Sequence, residues 1–542
     1  MHNRNNLKIK SSPISFLLSV FTLMVACQPQ QDSTEEQASP KPNVIFIMSD
    51  DHTTQAFGVY GSRLAEVNPT PVLDGLAAEG MVFDQVFCNN SICTPSRASI
   101  LTGQYSQTNG VIDLDGVLLP ERHHLPREMK KLGYQTAIVG KWHLKEEPAN
   151  FDYYEVLPGQ GKYFDPEFRK IGEGTWPDNF VSYQGHSSDI ITDRTLDWLT
   201  NKRNKDQPFF LMHHYKAPHD DFEFAPRYTD YLADTEIPEP VSLYDQPDFG
   251  SEATLGKNDS LIHRIGTSVS DRHTYRSYTA QYGLEASDQK EATHLAYQEY
   301  LKRYLRCVKG VDDNLGRLFT YLKENDLWEN TVIMYTGDQG FMLGEHDYMD
   351  KRWMYDESMR MPFIVHYPAM VQANSRSNVL INNTDFAPTM LELAGGQVPD
   401  YMQGKSFASV LEGNEPQNWR EATYYRYWMH MMHHDVPANF GIRTKDYKLI
   451  FYYGLPSDMS SMGKPTMPWL PESYPIEQTP AAWEFYDLSQ DPEELHNRYG
   501  DPAYQEVIQQ LKEQLQAKRE ALKETDEDYP HIQAVIDAHW DD

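Results

Sequence analysis

From Asn43 to about Trp419, short and largely apolar runs alternate with longer stretches whose apolar side chains recur every three or four positions. The clearest runs are Val44-Ile-Phe-Ile-Met48, Thr136-Ala-Ile-Val139, Pro208-Phe-Phe-Leu-Met212, Thr331-Val-Ile-Met-Tyr335 and Pro362-Phe-Ile-Val365. Runs of this kind read as buried strands, and with amphipathic helices between them they predict an α/β fold on a large, mostly parallel sheet. Helices are predicted over 71–78, 189–201 and 385–393. A longer one covers 295–324, where Leu301, Leu305, Val308, Val311, Leu315, Leu318 and Leu322 keep a helical spacing. The stretch 235–257 is rich in Pro, Asp and Gly, lacks periodicity, and predicts a long surface excursion.

Beyond Trp419 the texture changes. Aromatic segments of strand-like composition follow at 422–428, 441–453 and 483–487, then a charged helix from Pro502 to about Lys523. They predict a smaller α+β subdomain with an antiparallel sheet, so the chain divides into a first unit, 43–418, and a C-terminal one, 419–542.

The N-terminus follows neither pattern. Arg4, Lys8 and Lys10 precede an apolar run from Ile14 to Ala26 that is short for a bilayer span, so 1–26 reads as a signal peptide. Met24-Val-Ala-Cys27 resembles a bacterial lipobox, in which the cysteine becomes a lipidated first residue; ordinary cleavage near Ala26 is the alternative. Both export the chain, to the periplasm or the cell surface, with 27–42 as a polar tether. Membrane contact is then expected only through the anchor. Of the other cysteines, Cys88 and Cys307 read as buried thiols, which leaves Cys93 to be explained.

With 40% hydrophobic residues the chain is not disordered, and a formal net charge of −31 argues against nucleic acid as a partner. An anionic substrate would need local cations to overcome that field.

Ligands of open parallel sheets bind beyond the carboxyl ends of the strands. The predicted strands run into Asp50-Asp51-His52, Gly140-Lys141-Trp142-His143, Tyr215-Lys216-Ala217-Pro218-His219 and Gly337-Asp338-Gln339-Gly340, the last followed by Asp350-Lys351-Arg352. Each alone has an ordinary reading as a cap, a turn or a solvated loop. Converging on one edge, Asp50, Asp51, Asp338 and Gln339 offer hard oxygen ligands suited to Ca²⁺ or Mg²⁺. Arg97, Lys141, His143, His219 and Lys351 around them would hold a tetrahedral oxyanion. Cys93-Thr-Pro-Ser-Arg97 opens a helix with no C-x-x-C partner, so neither a zinc nor a dithiol site accounts for it.

These blocks, in this order, resemble the formylglycine-dependent sulfatases. Cys93-Thr-Pro-Ser-Arg97 is similar to their C-x-P-S-R signature, extended by Ala98-Ser-Ile-Leu-Thr-Gly103. Glu484-Phe-Tyr-Asp-Leu488, Asp491-Pro-Glu-Glu-Leu495 and Asn497 are similar to a motif of the C-terminal subdomain. The likeness runs from Pro42 to about Tyr499 and implies an alkaline-phosphatase-like fold. It also implies that Cys93 is oxidised to formylglycine by a formylglycine-generating enzyme. The aldehyde hydrates to a diol: one hydroxyl attacks sulfur and the other expels sulfate, splitting one hard displacement into two. By the same resemblance, Asp50, Asp51, Asp338, Gln339 and the modified residue 93 hold Ca²⁺. Arg97 orients the diol, and Lys141 and Lys351 bind sulfate oxygens. His143 assists the second hydroxyl, and His219 protonates the leaving alkoxide. Gln339 departs from the Asn or His of many relatives. His52, His214 and His346 lie near these blocks but stay outside the assigned set.

The expected substrate is a sulfated polysaccharide or oligosaccharide, either algal, such as ulvan, or a glycosaminoglycan bearing glucosamine 6-sulfate. The rivals are a phosphate or phosphonate ester hydrolase of the same superfamily and a glycan-binding envelope lipoprotein.

Overall fold

The structure, a computed structural model, describes residues 41–67, 69–244, 248–270, 278–471 and 473–542. The leader, Cys27 and nearly all of the tether therefore lie outside the described residues. Among those described, no helix is long and apolar enough to cross a membrane.

Ten strands form the main sheet, in the order Ser375–Ser377, Met81–Phe83, Phe363–His366, Thr331–Gly337, Asn43–Asp50, Phe209–Pro218, Gln135–Lys141, Tyr153–Leu157, Glu167–Lys170, Phe180–Ser182. The five from Thr331–Gly337 to Tyr153–Leu157 are mutually parallel. The flanks bring in antiparallel pairing: Phe363–His366 runs against Thr331–Gly337, and Glu167–Lys170 against Tyr153–Leu157. All five predicted strands are present. The five added strands are three to five residues long, too short to give a periodic signal.

Alternate residues of the central strands enter different cores, as the pleat requires. Val44 and Phe46 share a core with Phe210, Met212, Val332, Met334 and the helix Phe386–Leu393. Ile45 and Ile47 face the other way, with Leu211, Ile333 and the leucines and valines of the helix Gln289–Glu324. Burial on both faces is why these strands read as continuous apolar runs. The long helix holds Cys307, which is buried and unpaired, as is Cys88. The stretch 235–257 is irregular but not superficial. Ile237 exchanges two hydrogen bonds with the Gln298 side chain (2.9 and 2.8 Å), and Phe249 stacks on His346 at 3.9 Å. Buried apolar residues spaced too irregularly to register as an element account for that difference.

The C-terminal sheet is antiparallel, with strands Ala422–Tyr427, Asn439–Thr444, Tyr447–Tyr452 and Ala482–Asp487. Tyr424, Phe440, Leu449, Phe451 and Phe485 meet the helices Gln505–Leu522 and Pro530–His539, whereas Tyr425, Tyr427, Ile450, Tyr452 and Tyr486 face the main core. The last helix was not anticipated. Both sheets belong to one compact unit, Lys41–Asp542. A buried ion pair ties this sheet to the terminal helices. Arg426, 1% exposed, meets Asp526 at 2.6 Å and lies 3.4 Å over the Trp428 ring, and Asp526 also binds Arg519. Asp526→Ala strands both cations, so urea unfolding should show a loss of about 3–5 kcal/mol.

Candidate active site

Four parallel strands and one helix deliver most of the site, and Lys351 follows the short strand Tyr348–Asp350 of a separate antiparallel sheet. Asp50 ends the first strand, and Asp51 turns the chain with φ 68°, donating its backbone N–H to Asp338 Oδ1 (3.1 Å). His143 (φ 57°), Asp350 (φ 76°) and Arg352 (φ 88°) share the left-handed backbone region. Strain of this kind persists where the surroundings over-determine a geometry, and it gathers at functional sites. Gly140, just before Lys141, admits no side chain, because a Cβ there would lie 1.8 Å from the His214 carbonyl oxygen.

Cys93 begins the helix Cys93–Thr102, which is buried throughout and closed by Gly103 in the left-handed conformation. Asp338 fixes its orientation: Ser96 donates to the Asp338 carbonyl, and Arg97 binds the Asp338 carboxylate through Nε (3.0 Å) and Nη2 (2.9 Å). Arg97 also holds the Lys141 carbonyl (2.9 Å) and stands 3.7 Å from Asp50 Oδ1. Lys141 Nζ meets Asp50 Oδ2 and the side-chain oxygen of Gln160, and Lys351 Nζ meets Asp51 Oδ1. His219 Nε2 lies 3.8 Å from Asp51 Oδ2, and His143 Nδ1 is 3.5 Å from Thr94 Oγ1.

Three carboxylates therefore face Arg97, Lys141 and Lys351 in a deeply buried cluster, where burial and the neighbouring Lys216 and Lys351 hold the Lys141 ammonium well below the ordinary lysine range. Burial raises Asp51 to about 7 against the pull of Lys351. Asp338, which burial alone would raise, is held below the usual carboxylate range by Arg97, Lys141 and Lys351. Burial, then Lys351 and Lys141, bring His219 down to about 3, with Asp220 pulling the other way. His143 is lowered by burial and by Lys141 and Arg97. Burial pushes the Cys93 thiol up to about 12, so at neutral pH its sulfur carries a proton and is a poor nucleophile.

Ligand atoms of Asp50, Asp51 and Asp338 lie within 4.8 Å of one another, and so do those of Asp50, Cys93 and His219. Asp50 Oδ1, Asp51 Oδ2 and Gln339 Oε1 are buried without a hydrogen-bond partner. Orphaned oxygens beside a carboxylate cluster are the donor set a hard divalent cation takes. Gln339 turns its Nε2 to Asp51 Oδ1 (2.5 Å); half a turn of the amide would present the oxygen instead.

All ten assigned side chains thus reach one edge of the sheet. Gln160 and Thr94 join them unannounced, because a lone Gln in a loop and a Thr inside a helix carry no sequence signal. Two of the unassigned histidines are structural: His52 bonds Tyr335 Oη (2.6 Å) and stacks on Phe57, and His346 stacks on Phe249. His214 braces the Lys141 carbonyl at 3.1 Å. The C-terminal motif acts at one remove. Glu494 binds Lys448 (2.6 Å) and the Asp356 N–H (2.7 Å), and Glu484 binds Tyr355 (2.9 Å), clamping the smaller sheet onto the segment that follows Lys351.

A family model for sulfatases matches residues 42–396, and one for the C-terminal part of N-sulphoglucosamine sulphohydrolases matches 344–462 and 475–521. The chain belongs to the sulfatase family. It is 37% identical to an N-acetylglucosamine-6-O-sulfatase of Bacteroides thetaiotaomicron, over 96% of this chain and 93% of that protein. To an ulvan-active sulfatase of Formosa agariphila it is 27% identical, over 93% and 86%. A structure solved with its substrate D-glucosamine-2-N,6-O-disulfate superposes with a TM-score of 0.76 at 35% identity, covering 90% of this chain and 99% of that one. The sulfatase is accordingly a sulfuric ester hydrolase whose relatives act on carbohydrates, and its family generally uses a formylglycine and a divalent metal.

Proposed function

We propose that this sulfatase removes the 6-O-sulfate of N-acetylglucosamine units in glycosaminoglycan fragments, using a formylglycine made from Cys93 and a calcium ion. The observation that carries the substrate reading is the 37% identity to an N-acetylglucosamine-6-O-sulfatase over almost the full length of both chains. The lining beside the site supports it. A small cavity bounded by Asp220, Asp221, Phe222, Tyr300, Phe341, Met349 and Asp350 offers aromatic faces and carboxylate acceptors, which suit a sugar ring and its hydroxyls.

Asp50, Asp51, Asp338, Gln339 and residue 93 would hold the calcium, which supplies Lewis-acid polarisation and charge neutralisation. The hydrated formylglycine supplies one hydroxyl for attack on sulfur and a second whose deprotonation expels sulfate. The chain's own residues do the rest. Arg97, fixed by Asp338, orients side chain 93. Lys141 and Lys351 take the sulfate oxygens, and His143 receives a proton from the second hydroxyl. His219 gives one to the leaving sugar oxygen. Burial first, and then Lys351 and Lys141, keep His219 neutral, and the ester's negative charge between the two lysines would offset their part. Export and anchoring at Cys27 belong to the same proposal and rest on the N-terminal sequence.

Sulfate release from a panel of defined oligosaccharides checks the substrate. The 6-O-sulfated N-acetylglucosamine should be turned over with a kcat/KM at least about 100-fold above ulvan fragments and 2-O- or 4-O-sulfated sugars. Preference for any of these would overturn the assignment.

A further inference from the structure

His219 Nδ1 lies 2.7 Å from the backbone carbonyl oxygen of Asp220 and 2.7 Å from Asp220 Oδ1. Neither oxygen carries a hydrogen to give, so Nδ1 must be the donor. In the neutral ring this leaves Nε2 bare, and Nε2 is the atom that faces Asp51. A ring nitrogen of His219 also comes within 4.8 Å of both Cys93 Sγ and an Asp50 oxygen. The backbone of His219 is held separately: its N–H donates to the Lys216 carbonyl (3.1 Å), and its carbonyl accepts from Tyr163 Oη. The main chain is thus fixed by its neighbours, whereas the side-chain contact that fixes the ring's rotation and tautomer comes from Asp220.

We propose that Asp220 is the positioning residue of His219: its carboxylate fixes the proton on Nδ1 and turns Nε2 toward the reacting sulfate ester. When the ring carries a second proton, on Nε2, and passes it to the leaving sugar oxygen, the N–H bond breaks and the O–H bond forms as sulfur and oxygen part. The positive charge held until then lies against the Asp220 carboxylate. A partner that orients a histidine through its far nitrogen commonly contributes 10- to 100-fold to what the near nitrogen does. The proposal rests on His219 serving as the proton donor to the leaving group, as set out above. It does not depend on which sugar is the substrate.

The test is a double-mutant cycle on whichever sulfate ester of the panel the wild-type enzyme hydrolyses best. Asp220→Asn keeps the shape but removes the charge, and Asp220→Ala removes the carboxylate contact while leaving the backbone one. Each should lower kcat by about 10- to 100-fold, whatever the substitution does to KM through the sugar-facing side of the same carboxylate. In a His219→Ala background the same substitutions should cost less than about twofold, since their target is gone. Thermal unfolding of each variant separates a folding defect from a chemical one. Wild-type kcat in Asp220→Asn, or an equal fall with and without His219, would overturn the proposal. A His219→Ala enzyme with wild-type kcat would instead overturn the proton-donor reading beneath it.

Discussion

Cys93→Ala should abolish sulfate release, with kcat falling by more than about 10⁴-fold while the protein stays folded. The size of the effect follows from what residue 93 alone provides. In the proposed mechanism Arg97, Lys141, Lys351 and the two histidines hold charge and move protons, and the bond to sulfur is made by residue 93 alone. The intact thiol is no substitute. It is 1% exposed and pushed up to about 12, so it presents a protonated sulfur at neutral pH. Were it to attack, the resulting thiosulfate linkage would leave residue 93 with no second oxygen to drive sulfate out. Protein made in a host that cannot oxidise the cysteine should therefore be as inactive as the alanine variant. Steady-state kinetics on both preparations checks this, and appreciable turnover with the thiol in place would contradict it.

Removal of the divalent cation should be nearly as damaging. Asp51→Asn and Asp338→Asn each take a charged oxygen from a cluster that already contains orphaned oxygens on Asp50, Asp51 and Gln339. A fall in kcat/KM of about 10²- to 10³-fold is expected, and treatment with a chelator should reproduce it in the unaltered enzyme. Asp338→Asn acts twice, because the same carboxylate holds Arg97 at 2.9 and 3.0 Å and so orients the helix carrying Cys93. Calcium should restore the chelated wild type and, at about 100 times its Kd, stabilise it by about 2.7 kcal/mol. The two Asn variants should gain less. Restoration by zinc alone, or full activity after chelation, would count against a hard-cation site.

Much of this was legible in the amino-acid order because the central strands are buried on both faces and end in the functional side chains. Val44 to Met48 announces a strand, and Asp50-Asp51 at its end puts two carboxylates at the edge where the other blocks converge. The edges of the sheet were less legible. Glu167–Lys170 and Phe180–Ser182 are short, half exposed and without a periodic pattern. The segment 235–257 misled for the opposite reason: Ile237, Leu243 and Phe249 are buried, but their spacing follows neither a helix nor a strand. At the site, residue type and spacing pointed to nine of the side chains that gather there and the family resemblance to Cys93, yet neither said anything of Gln160 beside Lys141. The role of Asp220 was equally hidden, since an Asp after His reads as a turn until the ring is seen to lean on it.

The proposed mechanism depends on the chemical identity of side chain 93, and one peptide reports it. Trypsin releases Leu64–Arg97, which contains both Cys88 and Cys93. After reduction and alkylation of enzyme from a competent host, mass spectrometry should find Cys88 alkylated and residue 93 not. Residue 93 should instead be lighter by the exchange of CH2–SH for an aldehyde and reactive toward a hydrazide. Alkyl groups on both cysteines, in a preparation that releases sulfate at full rate, would contradict it.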